Sequence, residues 1–538
     1  MKKIVALILV LAMILTCLCS CGKAEDSSEP ASSGSTGGYN VDYKNLAAGY
    51  ISHTNELDFT IMKSDDFECM DDFYLFLPKG TELSHSKNFA VYCYNDQFAL
   101  STDLTQACGQ NLIRYSVQVS SDVKTISADC YVRLSVEGSV KDVIITVPDG
   151  EESRVLMGTK EDLMYAPQIK AVNQVLDGRE TAVNYIFITD LHYDYDPTSQ
   201  KSQALFKQIK AAVKIANSND SIDFIAIGGD TTSGMYDTKA ESLKYTAEIL
   251  EPLKESQKPV FVAMGNHDDN SYHSFHADGF TESEIVSDKD WSDNVIKVFC
   301  PEAVVKDSKY PDSKYYYYDL TAKKTRVICL DALDYRAKYD ANGVIKTLPV
   351  KDAGALSEKE KYWAGTNYWG YSEGQMKWLA SEAMTAPADW NYMFISHMGV
   401  DINTMSNSYE THYGSTLRNI LAAYKDRRAL SGAVSGDFTK ATGKVLSYHF
   451  GHTHTELTRY MKDMDLWQIC TATAQVSTNA EVIGTPKVNN DSKGNDWVTY
   501  DRKYGTENEA CMDVISASAT DITKFALGAG SNENLKYE

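Results

Sequence analysis

Between Asn184 and the C-terminus, apolar runs of strand length recur, and they keep stopping at polar clusters. "NYIFITD" closes on Asp190, "DFIAIGGD" on Asp230, "PVFVAMGN" on Asn266, "NYMFISH" on His397, and "KVLSYHFGH" on His452. Amphipathic stretches lie among them, including "SQALFKQIKAAVKIAN", "SLKYTAEILEPLKES" and "EGQMKWLASEAM". Buried strand runs alternating with helices predict an α/β fold. In such a sheet the carboxyl ends of the strands are where ligands sit, so the polar clusters fall where chemistry is expected.

Read in order, the clusters are D-x-H (Asp190, His192), "GGD" (Asp230), "GNHD" (Asn266, His267, Asp268), His397, and G-H-x-H (His452, His454). A lone D-x-H carries little information, but five such sites in this order at strand ends form one constellation. Carboxylates, an amide oxygen and imidazoles suit borderline divalent metals, and no thiolate joins them. Donors from five clusters are too many for one tetrahedral ion. They suit two ions sharing a bridging carboxylate, about 3.5–4 Å apart. Gly228, Gly229, Gly265 and Gly451 stand beside these residues, where the backbone is expected to turn sharply.

Over roughly Tyr185 to the C-terminus the chain resembles the calcineurin-like metallophosphoesterases, including "RVICLD", the "EGQMKWL" helix and the closing "DVISASATDITKFALGAG". The resemblance implies a β-sandwich flanked by helices and a phosphoesterase acting through a hydroxide bridged by two metals, with Mn, Fe, Zn or Co as candidates. It places Asp190, His192 and His454 on the first metal, Asp230 as the bridge, and Asn266, His397 and His452 on the second. His267 becomes the acid that protonates the leaving alkoxide or a group that orients phosphate, and Asp268 beside it is either the residue that orients His267 or a turn residue. His273 and His276, close behind, are possible substrate contacts. His449 is expected to be packing or support rather than a ligand. Three departures narrow the subfamily. Ser233 stands where purple acid phosphatases place a Tyr ligand. "GNHDDN" replaces the "GNHEFD" of secreted 5′-nucleotidases. The start "ITDLHYDYDP" is similar to sphingomyelinase-like phosphodiesterases, which usually carry Glu after the catalytic His.

The first 182 residues read differently. Residues 1–20 have a basic start and a short apolar core, the pattern of a signal peptide. "LCSC" followed by Gly22 resembles a bacterial lipobox, which implies lipid attachment at Cys21 and an extracytoplasmic, membrane-anchored protein. Residues 21–38 are a polar Gly/Ser-rich tether. Residues 39–150 hold short alternating runs such as "FYLFLPKG", "NFAVYCYND" and "CYVRLSV", which predict a small all-β sandwich. A connecting segment, 151–182, precedes a catalytic domain at 183–538. Eight cysteines remain beyond the leader and anchor, without a CxxC pair, so spacing leaves their pairing open.

A net charge of −22 disfavours nucleic-acid polymers, and a phosphoester substrate needs local positive charge that bound cations would supply. The β-module offers a possible cell-wall contact. Two further readings fit parts of the sequence: a surface binding lipoprotein on a non-catalytic phosphoesterase fold, and a sphingomyelinase-like phosphodiesterase. The aromatic cluster Tyr362–Tyr371 is a possible stacking surface, or packing.

Overall fold

The computed structural model describes residues 39–41, 43, 46–48, 50–52, 60–71, 73–94, 123–126, 128–273, 281–334, 370–400, 413–476, 486–490, 496–504 and 507–538. They divide into two compact units, 1–160 and 161–538. Cys21, Cys108, His276 and residues 362–369 of the aromatic cluster lie outside the described residues. The seven described cysteines are all buried. Among the described residues no helix is long and apolar enough to cross a membrane.

In the first unit a long central strand, Cys130–Glu137, pairs antiparallel with Phe67–Met70, Tyr74–Leu77 and Phe89–Tyr94. A smaller sheet orders Ile144–Thr146, Glu82–Ser84 and Lys124–Thr125. Leu83 and Ile145 of the small sheet share one core with Leu75, Val132 and Leu134 of the large one. Both sheets bury an inner face, which is why apolar residues alternate along these short runs. The segment 151–182, expected to be a connector, is more regular than that. Leu156–Gly158 pairs with Tyr74–Leu77 as an edge strand, and Lys160–Leu176 is a helix, α1. Tyr165, Val172 and Leu176 of α1 join the core of the second unit.

The second unit is a sandwich of two mixed sheets. Its strands are β1 (Val183–Ile188), β2 (Phe224–Ile227), β3 (Val260–Val262), β4 (Val305–Lys306), β5 (Tyr316–Leu320), β6 (Thr325–Cys329), β7 (Asn391–Ile395), β8 (Val445–Phe450), β9 (Leu457–Met461), β10 (Leu466–Cys470), β11 (Cys511–Ala517), β12 (Asp521–Gly528) and β13 (Glu533–Lys536). One sheet runs β3-β2-β1-β11-β12-β13, and the other runs β4-β5-β6-β7-β8-β10-β9. The first three strands are parallel, as are β6, β7, β8 and β10.

Alternation along the strands separates two cores. Val327, Met393 and Leu446 face the core between the sheets, with Tyr185 and Phe187. Ile328, Phe394 and Tyr448 point the other way, against Met376, Trp378, Leu417 and Leu421. Those four belong to α4 (Glu373–Trp378) and α5 (Gly414–Lys425). Helices α2 (Gln200–Ser218) and α3 (Lys239–Leu250) cover the first sheet. Ser199 caps α2, and a Thr238–Glu241 capping box starts α3. Strands covered on both faces are buried along their whole length and almost wholly apolar, as β1, β2 and β3 show, with Asn184 the one polar residue among them. The fold is the α/β sandwich with flanking helices that the sequence predicts, preceded by an all-β unit.

Candidate metal centre

The parallel strands of both sheets end on one side of the sandwich. Asp190 follows β1, Asp230 follows β2 and Asn266 follows β3, all in one sheet; His397 follows β7 and His452 follows β8, in the other. The two sets are tied directly. The His397 Nδ1–H donates to Gly228 O at 2.8 Å, and the His452 backbone N–H donates to the Asp190 carboxylate at 2.9 and 3.1 Å. With Nδ1 used in that way, His397 presents Nε2 to the cavity.

The donor atoms gather in two groups. Asp190, His192, Asp230 and His454 form one, and Asp230, His397 and His452 the other, with all donor atoms of a group within 4.8 Å of one another. Asp230 belongs to both. Asn266 joins the second group, its Oδ1 lying 2.8 Å from His452 Nδ1 and 3.1 Å from His397 Nε2. The seven residues singled out in the sequence are therefore brought together, in the two sets the resemblance implies.

Several ring nitrogens of these residues approach one another closely. His192 Nε2 and His454 Nε2 are 2.8 Å apart, and His452 Nδ1 lies 3.2 Å from His397 Nε2. Ligands at right angles on an ion with bonds near about 2.1 Å would be about 3 Å apart, so ring nitrogens at this spacing fit a cation between them. Charge points the same way. Burial opposes ionisation of Asp190, but His454 and His397 hold its pKa at about 2. Against the same burial, His397, His267 and His192 hold Asp230 well below the carboxylate range. His192 and His452 are depressed to about 3, first by burial, so their rings are neutral and can offer a lone pair. Burial also works against His397, but the Asp230 and Asp190 carboxylates lift it to about 9.

The glycines act mainly by leaving space. A Cβ on Gly451 would come within 2.0 Å of Thr189 Oγ1 and 2.3 Å of Asp190 Oδ2, and one on Gly265 within 2.1 Å of the Asp230 nitrogen. Of the four glycines expected at sharp turns, only Gly229 holds a left-handed φ, +97°. The turns themselves are made by the donor residues.

His267 sits beside the centre. Its backbone N–H donates to Asp230 Oδ1 at 2.8 Å, and its ring lies 4.8 Å from that of His192 and 4.7 Å from that of Tyr272. The expectation that Asp268 orients this ring is corrected by the hydrogen bonds. Asp268 Oδ1 accepts from the Thr231 N–H (2.8 Å), the Thr231 hydroxyl (2.5 Å) and the Thr232 N–H (3.2 Å). Its Oδ2 accepts from the Gly265 N–H at 2.8 Å. The carboxylate follows its own short loop inward and is fully used there. Ser233 O, 2.9 Å from His267 Nδ1, fixes the ring instead. The Ser233 hydroxyl in turn donates to His192 O at 3.1 Å. His273 pairs with Asp237 at 3.3 Å, on the loop after Asp230. His449 lies in the core, stacked on Phe187 at 3.9 Å.

One loop of the site is absent from the sequence reading. After β10, the Thr473 hydroxyl donates to Asp190 O at 2.7 Å, and Gln475 Nε2 donates to His192 O at 3.2 Å. Buried Arg502 donates to the carbonyls of Thr473 and Gln475 (2.5 and 2.9 Å) and of Ala474 (2.8 Å). "LWQICTATAQ" is another apolar run ending in polar residues, so the rule that found the other loops could have found this one.

Two mixed sheets with a shared-carboxylate donor set across their ends define a metal-dependent hydrolase. The family model of the calcineurin-like phosphoesterases matches residues 183–456, and the chain belongs to that family. It is a metallophosphoesterase, a hydrolase of phosphoric ester bonds with a metal-binding site of Asp and His residues. No curated protein matches. Solved structures similar to it include a dimetal phosphatase from Danio rerio, at 12% identity and a TM-score of 0.43, covering 66% of this chain and 99% of that one. Another is GAP50, the anchor in the inner membrane complex of Plasmodium, at 12% identity and a TM-score of 0.32, covering 66% and 89%.

Proposed function

We propose that the protein hydrolyses phosphomonoesters or phosphodiesters outside the cytoplasm, on two divalent ions, tethered to the membrane by a lipid on Cys21. The observation that carries the catalytic part is Asp230, which belongs to both donor groups. In this reading Asp190, His192 and His454 with Asp230 hold one ion, and Asn266, His397 and His452 with Asp230 hold the other. Two such ions, whether Mn, Fe, Zn or Co, supply Lewis acidity toward the phosphoryl oxygens and lower the pKa of a bound water. They also give an acidic chain the local positive charge that a phosphate needs.

The chain's own groups do the rest. His267 is anchored at its backbone by Asp230 and at Nδ1 by Ser233 O, which leaves Nε2 toward the leaving group. In the protonated ring Nε2–H is the donor that passes a proton to the departing alkoxide. The Asp190 and Asp230 carboxylates balance the charge of the ions. The anchor rests on the leader and "LCSC" pattern; the Gly/Ser-rich tether fits it, and the all-β unit is a candidate cell-wall contact. The charge of −22 supports small or neutral-backbone substrates over nucleic-acid polymers.

The test is hydrolysis of p-nitrophenyl phosphate and its bis ester by full-length protein, after chelation and after adding back Mn2+ or Zn2+. Turnover that disappears on chelation and returns with metal is expected, and the faster ester shows whether monoesters or diesters are preferred. Rates at background for both esters with every metal would refute the reading.

A further inference from the structure

The turn Gly451–Thr455 carries two of the clustered donors, His452 at φ +71° and His454 at φ +58°. A histidine in the left-handed region costs on the order of 1–3 kcal/mol and persists only where its surroundings over-determine it. His452 has such support at the turn itself, from the Asp190 carboxylate. The contacts of the His454 ring, 2.8 Å to His192 Nε2 and 3.4 Å to Asp190 Oδ1, are to fellow donors. Beside it, Thr453 Oγ1 meets Thr455 Oγ1 at 3.0 Å and Cys470 Sγ at 3.1 Å, and the next residue of the chain adds a buried anchor.

Glu456 follows immediately and is 4% exposed. Its Oε1 accepts from Lys524 Nζ, from the Ser531 N–H at 2.9 Å and from the Ser531 hydroxyl at 2.8 Å. Its Oε2 accepts from the Tyr500 hydroxyl. Its backbone pairs with Val498 in both directions, at 2.8 and 2.9 Å. The Lys524 side chain is wholly buried and also lies 3.6 Å from Asp513 Oδ1 and 3.7 Å from Glu533 Oε1. Asp513 Oδ2 accepts from the Thr471 hydroxyl at 2.5 Å, and Thr471 Oγ1 meets His449 Nε2 at 2.8 Å. The buried cation is thus linked to the chain three residues before His452 and two residues after His454. The turn is bracketed at both ends.

We propose that Glu456 is a positioning residue for the metal centre, and that Lys524, Ser531 and Tyr500 work through it to hold His454 in place. All three lie beyond the matched family region, which ends at residue 456. The C-terminal strands therefore help to set the affinity of the site that contains His454, in addition to closing the first sheet. This inference rests on the two-ion reading above. Glu456 belongs to neither donor group, and its effect on the site passes through His454.

The test is calorimetric titration of metal-free, full-length protein with Mn2+ alone, beside thermal melts of the metal-free forms. Wild type is expected to bind two ions, and His454→Ala marks which of the two sites contains that residue. Glu456→Gln is expected to weaken the marked site by about 10- to 100-fold while the other changes less than about threefold. Tyr500→Phe/Ser531→Ala removes two donors without leaving a buried charge unpaired, and stands in if Glu456→Gln fails to fold. It is expected to weaken the same site by less. Lowered melting temperatures with both affinities unchanged, or equal weakening at both sites, would overturn the proposal and make the network merely structural. Failure of wild type to bind two ions would instead refute the two-ion reading.

Discussion

Five of the seven clustered donors, Asp190, His192, Asp230, His452 and His454, hold left-handed backbone angles between 45° and 71°. Residues that could relax by a rotation of φ are instead held where their side chains converge, and such strain gathers at functional sites. The residue types were readable in the sequence because metal chemistry demands them and strand ends present them. Asp268 shows where that reading stops. Its carboxylate does not reach the His267 ring but turns inward to Thr231, Thr232 and Gly265. The group on His267 Nδ1 is a backbone carbonyl, which no side-chain pattern reveals. If His267 acts only on the leaving group, His267→Gln lowers kcat by roughly 100-fold or more, while the metal content of the purified protein is unchanged. Loss of the metals in this variant would make His267 a ligand instead.

Among elements, the strands leading into the site are the parts most legible in advance, because burial on both faces leaves them mostly apolar. Loops are harder, since their geometry comes from hydrogen bonds between segments distant in sequence. Asp268 joins the loop after β2 to the loop after β3, and so sets Asp230 against Asn266. Asp268→Ala leaves the N–H groups of Thr231, Thr232 and Gly265 without their acceptor in a buried place. It is expected to cost at least about 2 kcal/mol in chemical denaturation of the metal-free protein, at about 1–3 kcal/mol per orphaned donor. It is also expected to weaken metal binding at both sites, since Asp230 belongs to each. An unchanged denaturation midpoint would show that the loops are held by other means.

At the scale of the molecule, the sequence separated an all-β unit from an α/β unit by the period of its apolar residues. The division between the two units, at residue 160, falls inside the connecting segment 151–182. Helix α1 contributes Tyr165, Val172 and Leu176 to the core of the second unit, so residues from 161 onward pack with it. A chain beginning at Thr159 is therefore expected to fold and to hydrolyse small phosphate esters within about twofold of full length. A chain beginning at Val183 is expected to be markedly less stable, because it leaves that part of the core uncovered. Equal melting temperatures for the two truncations would contradict the assignment of α1.

The central claim is that Asp230 is shared by two ions, and anomalous diffraction from crystals grown with Mn2+ tests it most directly. Two anomalous peaks about 3.5–4 Å apart are expected, with the Asp230 carboxylate between them, and Asp230→Asn should lose at least one of the two. A single peak, or two peaks that do not share Asp230, would contradict the account.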